Sequence, residues 1–541
     1  MKGRIQIWFL LSLVCGLVVL FLTTWPYVAA YRSAGADYVF GGFLLNYQDG
    51  NSYLAKMYQG WLGEWRFHLP YTAEAGGGAY LFLFYLLLGH AARIFNLSLI
   101  FTFQAARFAG SLVLLFSLYH FFKRLLPEPG RHTLAFILAA LGSGMGWLAL
   151  PFGAVTADYW VAEAYPFLSA YTHPHFSLGL ALLLWLLLPP QVDGSPRFRW
   201  RFPLYLLGSS LLGIMSPFGI VVVLMVLSGL LVWELWMAKD WHANDSITRR
   251  LSIILEVLRQ HWAFWRVILV TLGGVPWLLY DLWVTHSDAI LAGWNAQNIT
   301  PTPPLWDLIL SLSPLLLLAI PGAIAAVRGK KKSLYLLVVW AGIGLALLFL
   351  PFGLQRRFMM GIFVPLAGLA VPGLETLAAG SRRKTVFGAA LVLLFVLPTN
   401  ATILLAARHG IQTHAPELYL SRDEANAFSW IKSNTPQNAI ILAAARTGLL
   451  IPAHTGRKVI YGHPFETVNA DQEIQLVESF FKSLSVMESG KEPEDFISSR
   501  GVGYLFIGPS ERALGGAPID LNMDPLYSSG QVTVYRVDPY K

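Results

Sequence analysis

The chain has 541 residues, 55% hydrophobic and 13% charged, where a soluble protein carries about 25% charged residues. A mean hydropathy of +0.53 over the whole length needs many apolar segments, because one anchor helix could not raise the average so far, and this excludes an ordinary soluble domain. The formal charge of +8 does not call for nucleic acid: from Arg408 onward 12 Lys/Arg stand against 15 Asp/Glu, so the positive excess lies in loops between apolar segments, where it reports orientation.

Lys2 and Arg4 precede the first apolar stretch, Ile7 to Val28. The pattern also resembles a signal peptide, with the small residues of Ala29 to Ala36 as a cleavage region, but with many spans following it reads as an uncleaved first helix. Cys15 lies inside it and is the single cysteine, so no disulfide forms within one chain. The loop 29–78 holds Asn46-Tyr47-Gln48-Asp49-Gly50-Asn51. Beyond it Tyr53, Met57, Trp61 and Trp65 recur at helical spacing, which predicts an amphipathic helix at the membrane surface. Asp49 stands just before that helix, suited to be its N-cap or an Asx-turn residue, and capping is compatible with catalysis. Tyr80 to Phe95, with His90 and Arg93, reads as an interfacial or re-entrant helix.

Further stretches long and apolar enough to cross are Phe103 to Phe122, Thr133 to Phe152, Pro174 to Leu188, Phe202 to Met215, Ile220 to Met237, Val267 to Val284, Leu305 to Val327, Leu334 to Leu350, Met359 to Leu377 and Val386 to Ala407. The total is about eleven crossings. On that count the basic clusters Lys2/Arg4, Lys123/Arg124/Arg131, Arg197/Arg199/Arg201, Arg249/Arg250/Arg259, Arg328 to Lys332 and Arg382 to Lys384 share one side, which the positive-inside trend makes cytoplasmic. The outer side then receives loop 29–78, loop 153–173, the Pro-rich Thr300 to Pro304 stretch, the Pro351 to Phe358 turn and the tail.

Loop 153–173 and the start of the next span bring together Asp158, Glu163, His173 and His175. Two carboxylates and two histidines at the mouth of a helix bundle can hold a divalent cation, bind substrate or share acid/base work, although the spacing matches no strict metal signature. The plainer reading makes the acids solvated loop charges and the histidines interfacial. Arg356 and Arg357 are an outer pair against the positive-inside trend. Guanidinium groups suit phosphate, so a lipid phosphate headgroup is a fitting partner; ordinary lipid contact or pairing with a loop carboxylate is the alternative.

The tail alternates a helix from Arg422 to Ile431, a strand at Ala439 to Leu442, a strand at Lys458 to Tyr461, a helix from Gln472 to Leu484 and strands at Val502 to Ile507 and Val532 to Val537, the pattern of an α/β domain. Within it, the turn from Gly462 to Thr467 reads as structural or as part of an acceptor site. The expected domains are thus a transmembrane bundle, 1–408, and an extracytoplasmic α/β domain, 409–541.

An acidic residue in a long first outer loop, more acids in a second, a late outer arginine pair and an α/β tail together resemble the GT-C glycosyltransferases. These membrane enzymes include protein mannosyltransferases, the aminoarabinose transferase of lipid A and oligosaccharyltransferase catalytic subunits. Gly77-Gly78-Ala79-Tyr80-Leu81 stands where a His-Pro-Pro-Leu type segment often follows the first loop. The resemblance implies a polytopic GT-C-like fold, a polyprenyl-phosphate sugar donor, inversion at the sugar carbon, and a glycan, lipid or protein acceptor on the outer side of the plasma membrane. It makes Asp49 the catalytic base, Asp158 and Glu163 the second acidic site, and Arg356 and Arg357 the donor-phosphate contacts; the position of His173 and His175 in the second loop adds them as candidate substrate-binding residues. No cofactor is required, and metal use varies within the family. A transporter or flippase for a lipid-linked glycan and a non-catalytic scaffold are the competing functions; few ionisable residues in the spans and no inverted repeat weigh against transport.

Overall fold

The computed structural model describes residues 2–74, 76–188, 198–237, 262–351, 353–483, 497–515 and 525–537; Arg197, Arg249, Arg250 and Arg259 lie outside them. The chain forms two compact units, Met1–Trp25, Ala106–Tyr280 and Thr300–Ala406 in the first, Pro26–Ala105, Asp281–Ile299 and Ala407–Lys541 in the second. The second unit therefore gathers the tail with two earlier stretches of chain, one of which contains the whole 29–78 loop.

Each predicted apolar stretch carries a helix. Gln6–Ser33, Leu99–Leu125, Pro217–Trp236, Phe264–Ser287 and Arg382–Gln412 are long and apolar enough to cross a membrane, and Pro129–Leu141 with Gly146–Phe152 and Leu305–Leu312 with Leu315–Arg328 are pairs apolar enough together but bent by 44° and 75° at the break. Shorter apolar helices account for the rest: Pro174–Leu187, Arg201–Met215, Lys332–Leu347 and Phe363–Leu377. The first helix leaves Leu10, Leu13, Leu17 and Phe21 exposed, as a helix bathed in lipid does.

In the first unit, close helix packing rests on small residues. Where Leu315–Arg328 meets Phe363–Leu377, a β-carbon on Gly322 would stand 2.0 Å from the Leu369 carbonyl oxygen, and one on Gly373 1.9 Å from that of Leu318. Small residues allow such backbone contact, which matters in a membrane because apolar burial alone does not draw helices together there. Arg131 pairs with Glu375 at 2.8 Å and so ties the start of helix Pro129–Leu141 to the end of Phe363–Leu377.

The second unit is built on a five-stranded sheet in the order β4-β3-β5-β7-β6, from β3 (Ile440–Leu442), β4 (Lys458–Val459), β5 (Tyr504–Ile507), β6 (Pro525–Ser529) and β7 (Val532–Arg536). β3 runs parallel to β4 and β5, and β7 antiparallel to β5 and β6. Successive side chains point to opposite faces. Ile441, Phe506 and Val534 pack with Phe428, Ile431, Leu449 and Ile451 from helices Arg422–Asn434 and Ala445–Thr455. Leu442, Leu505 and Ile507 pack on the other side with Val477, Phe480 and Phe481 of helix Ala470–Ser483. The α/β tail is thus a three-layer arrangement. A capping box between Ser421 and Glu424 starts the first of these helices. A small second sheet pairs β1 (Tyr38–Phe40) with β2 (Tyr419–Ser421) antiparallel.

Candidate functional site

The helix carrying Asp49 begins at Tyr47, six residues before the expected start, and runs to Leu62. Its N-cap is Asn46, in the left-handed region at φ 52°, and the Asn46 carbonyl accepts from Gly50 N–H. Asp49 is therefore a first-turn residue and not the cap, which corrects the sequence reading. Gly50 hid the start: glycine disfavours a helix interior, yet here a β-carbon would lie 2.4 Å from the Phe43 ring. The helix is also packed into the second unit. Gly50, Asn51, Ser52, Leu54, Ala55, Lys56, Met57, Tyr58 and Gly60 are buried, because Gly60 and Gly89 let this helix touch Leu83–Ile94 backbone to backbone; a β-carbon on Gly89 would stand 1.9 Å from the Met57 oxygen.

Asp49, Ser52 and Lys56 fall at i, i+3 and i+7, on one face of that helix. The face meets the His463–Thr467 turn. Lys56 Nζ lies 2.5 Å from Glu466 Oε1, Ser52 Oγ donates to the same oxygen, and Lys56 also donates to Ser52 Oγ. The ammonium stands 4.3 Å from the Phe82 ring centroid and 5.3 Å from that of Phe67, close enough for cation–π attraction. Burial works against both charges. It prevails at Lys56, pushing the ammonium below its ordinary value against the pull of Glu466 and Asp49. At Glu466 burial is outweighed by the Lys56 charge, with the Lys56 and Ser52 hydrogen bonds adding to it, and the carboxyl is held below its usual range. His463 Nε2 lies 3.6 Å from Asp49 Oδ1; the Asp49 side chain is 48% exposed and that of His463 2%.

In the first unit, Asp158 is fully buried and accepts from Thr156 Oγ1 at 2.6 Å, Gly146 N–H at 3.0 Å and Thr399 Oγ1 at 3.0 Å. Burial pushes its carboxyl up to about 6 in spite of these donors. The plain reading of Asp158 as a solvated loop charge is therefore replaced by one of a carboxylate folded into the unit. Glu163, nearly buried, has Oε1 3.7 Å from Arg357 Nη1, and its backbone oxygen accepts from Gly361 N–H at 2.9 Å. Arg356 and Arg357 sit in the short 3-10 turn Gln355–Met359, so they diverge: Arg357 faces Glu163, and the Arg356 guanidinium lies 4.7 Å from the Trp160 ring centroid. The Pro-rich stretch joins this turn, as Thr300 N–H donates to Gly353 O and Arg356 N–H to Thr300 O. His173 is buried at the start of helix Pro174–Leu187, and its ring lies 6.1 Å from that of His175. The structure thus joins Glu163 to Arg357 and pairs the histidine rings.

Among the described residues no three His, Cys, Asp or Glu side chains converge as metal ligands. At the expected acids, Asp158 takes three protein donors and Glu163 faces a guanidinium. Ser52 and Lys56 were missing from the residues picked from sequence, and His463 and Glu466 were read only as part of a turn that is structural or belongs to an acceptor site. The face shared by Asp49, Ser52 and Lys56 was readable once the helix was started at Tyr47, whereas its pairing with residue 466 was not.

No family model and no curated protein matches the chain. Solved structures do. The oligosaccharyltransferase of Archaeoglobus fulgidus in its apo form superposes with a TM-score of 0.55 and 11% identity, over 92% of this chain and 69% of that one. The same organism's oligosaccharyltransferase AglB, in complex with an inhibitory peptide and a dolichol-phosphate, gives 0.52 and 12% over 92% and 69%. ArnT from Cupriavidus metallidurans, bound to undecaprenyl phosphate, gives 0.47 and 15% over 98% of both chains. The chain is a membrane protein with the fold of the GT-C glycosyltransferases.

Proposed function

We propose that the chain is a membrane glycosyltransferase that moves a sugar from a polyprenyl-phosphate donor to an acceptor on the outer side of the membrane. The observation that carries the proposal is Asp49: a half-exposed carboxylate in the first turn of an otherwise largely buried helix, in a chain with the fold of lipid-dependent transferases. Asp49 takes the proton of the acceptor hydroxyl or amide as that atom bonds to the anomeric carbon. The bond from that carbon to the phosphate oxygen breaks, and the polyprenyl phosphate leaves with the electron pair. A positioned general base contributes roughly two to four decades to such a step. In the first unit, Arg356 and Arg357 are the proposed contacts for an anionic phosphate, one backed by Trp160 and the other balanced by Glu163. Asp158 fastens the 153–173 segment, and His173 and His175 are proposed to line the substrate side of the same unit. The deciding experiment incubates purified protein with a panel of polyprenyl-phosphate sugars and looks for released polyprenyl phosphate. Movement of a lipid-linked glycan across a bilayer without bond cleavage would point to a flippase instead.

Replacing Arg356 or Arg357 by Ala should weaken donor binding by about 1.5–3 kcal/mol, the size of one charge-assisted hydrogen bond. Titration calorimetry against polyprenyl phosphate measures it, and equal affinity in both variants and the wild type removes the phosphate role.

The proposed orientation puts the N-terminus in the cytoplasm and the second unit outside. Its support is the clustering of positive charge and the Arg131–Glu375 pair, which ties the helix start beside the Lys123/Arg124/Arg131 cluster to the helix end that precedes Arg382 to Lys384. In a Cys15→Ser background, an impermeant thiol reagent added outside should label a cysteine at Gly153 and spare one at Glu128. Labelling of both refutes the sidedness.

A further inference from the structure

We propose that His463 is a positioning residue for Asp49, holding the carboxylate through its Nε2–H from a turn riveted to the same helix by Lys56, Ser52 and Glu466. The inference rests on the assignment of Asp49 as the base.

The tautomer follows from the backbone. Phe465 N–H donates to His463 Nδ1 at 3.1 Å, so Nδ1 is an acceptor and the neutral ring keeps its proton on Nε2. That nitrogen is buried, has no hydrogen-bond partner among the described residues, and lies 3.6 Å from Asp49 Oδ1. A buried N–H is rarely left unsatisfied, and a shift of under an ångström in a half-exposed aspartate closes the gap to hydrogen-bond length. Catalytic hydrogen bonds are often long before substrate binds.

The turn that carries His463 is fixed on all sides. Thr467 Oγ1 accepts from Gly462 N–H and His463 N–H, Gln297 Nε2 donates to Thr467 O, and Glu466 is clamped by Lys56 and Ser52. Asp49, Ser52 and Lys56 leave the helix on the face that meets this turn, so the rivet and the base share a rigid element. That is how a reacting group is held in one orientation. The groups facing the His463 ring are Asp49, Glu466 with Lys56 behind it, and Tyr71, whose ring lies 5.8 Å away.

The test uses the full chain in lipid nanodiscs, with histidine rings labelled with ¹⁵N and the His463→Gln variant assigning the His463 signals. The expected result is a protonated Nε2 whose ¹⁵N–H signal moves on Asp49→Asn; an unmoved signal overturns the inference, and this arm needs no donor. In turnover with a polyprenyl-phosphate sugar that the wild type consumes, His463→Leu should lower kcat roughly tenfold to a hundredfold with the donor KM unchanged. His463→Gln, which keeps an N–H donor, should recover most of the loss. Wild-type kcat in His463→Leu overturns the inference and leaves the base assignment standing. Lack of turnover in the wild type with every donor overturns the glycosyltransferase reading, and the ¹⁵N signal still decides the contact.

Discussion

Asp49→Asn should lower turnover by roughly two to four decades while the protein still folds and binds donor, because the amide keeps the size of the carboxylate and removes its basicity. The structure sharpens the contrast with a purely structural role. Asn46 is the N-cap, so the substitution leaves the cap in place. What it removes is an acidic side chain from the first turn, a favourable interaction with the helix dipole of about 0.3–1 kcal/mol. A structural role therefore predicts a slightly lower melting temperature with near-normal turnover. A base predicts the same small drop in melting temperature, with turnover all but lost. Measuring both quantities for Asp49→Asn and Asp49→Ala separates them, and near-normal turnover in the Asn variant ends the catalytic assignment.

Lys56→Met should destabilise the second unit by about 3–5 kcal/mol, since removing one partner of a buried pair strands the other charge. Glu466 would keep Ser52 as its donor and lose the ammonium. Lys56→Met combined with Glu466→Leu should recover most of that loss, because the pocket is already walled by the Phe67 and Phe82 rings and apolar replacements of a buried pair are often neutral. The pH dependence has a definite sign. A carboxyl held below its usual range adds stability that is complete above the ordinary carboxylate value and is lost as pH falls through the depressed folded value. The wild type should therefore lose more stability on acidification than the double variant. Thermal unfolding of the three proteins at neutral and acid pH measures this, and a double variant as unstable as Lys56→Met would refute the account.

The spans were legible because their signal is local: a run of apolar side chains long enough for a bilayer reads the same in any context. The strands around Ile441, Leu505 and Val534 were legible for a similar reason, since short apolar runs bounded by turn residues announce themselves. Asp158 was not. A carboxylate between Ala157 and Tyr159 looks solvated, and part of what buries it, Thr399, lies 241 residues away. Lys56 and Glu466 are separated by 410 residues, and neither flanking sequence names the other. The Tyr47 helix start was masked by Gln48-Asp49-Gly50-Asn51, a composition that suits a turn, and only the Phe43 ring against Gly50 explains why a helix passes through it.

The pairing of β1 with β2 has a consequence for biosynthesis. Tyr419 Oη donates to Ala30 O across 389 residues of chain, and β1 meets its partner only when Tyr419 to Ser421 are made. During translation the stretch that includes Asp49 must therefore wait, with its strand edge open and its helix lacking the 463–467 turn, until most of the spans have been inserted. Long-range closure of this kind is slow, and exposed edges in waiting intermediates invite mispairing. A ribosome that stops before Tyr419 releases a chain whose membrane helices are complete but whose Asp49 helix has no Glu466 to clamp it and whose β1 edge has no partner.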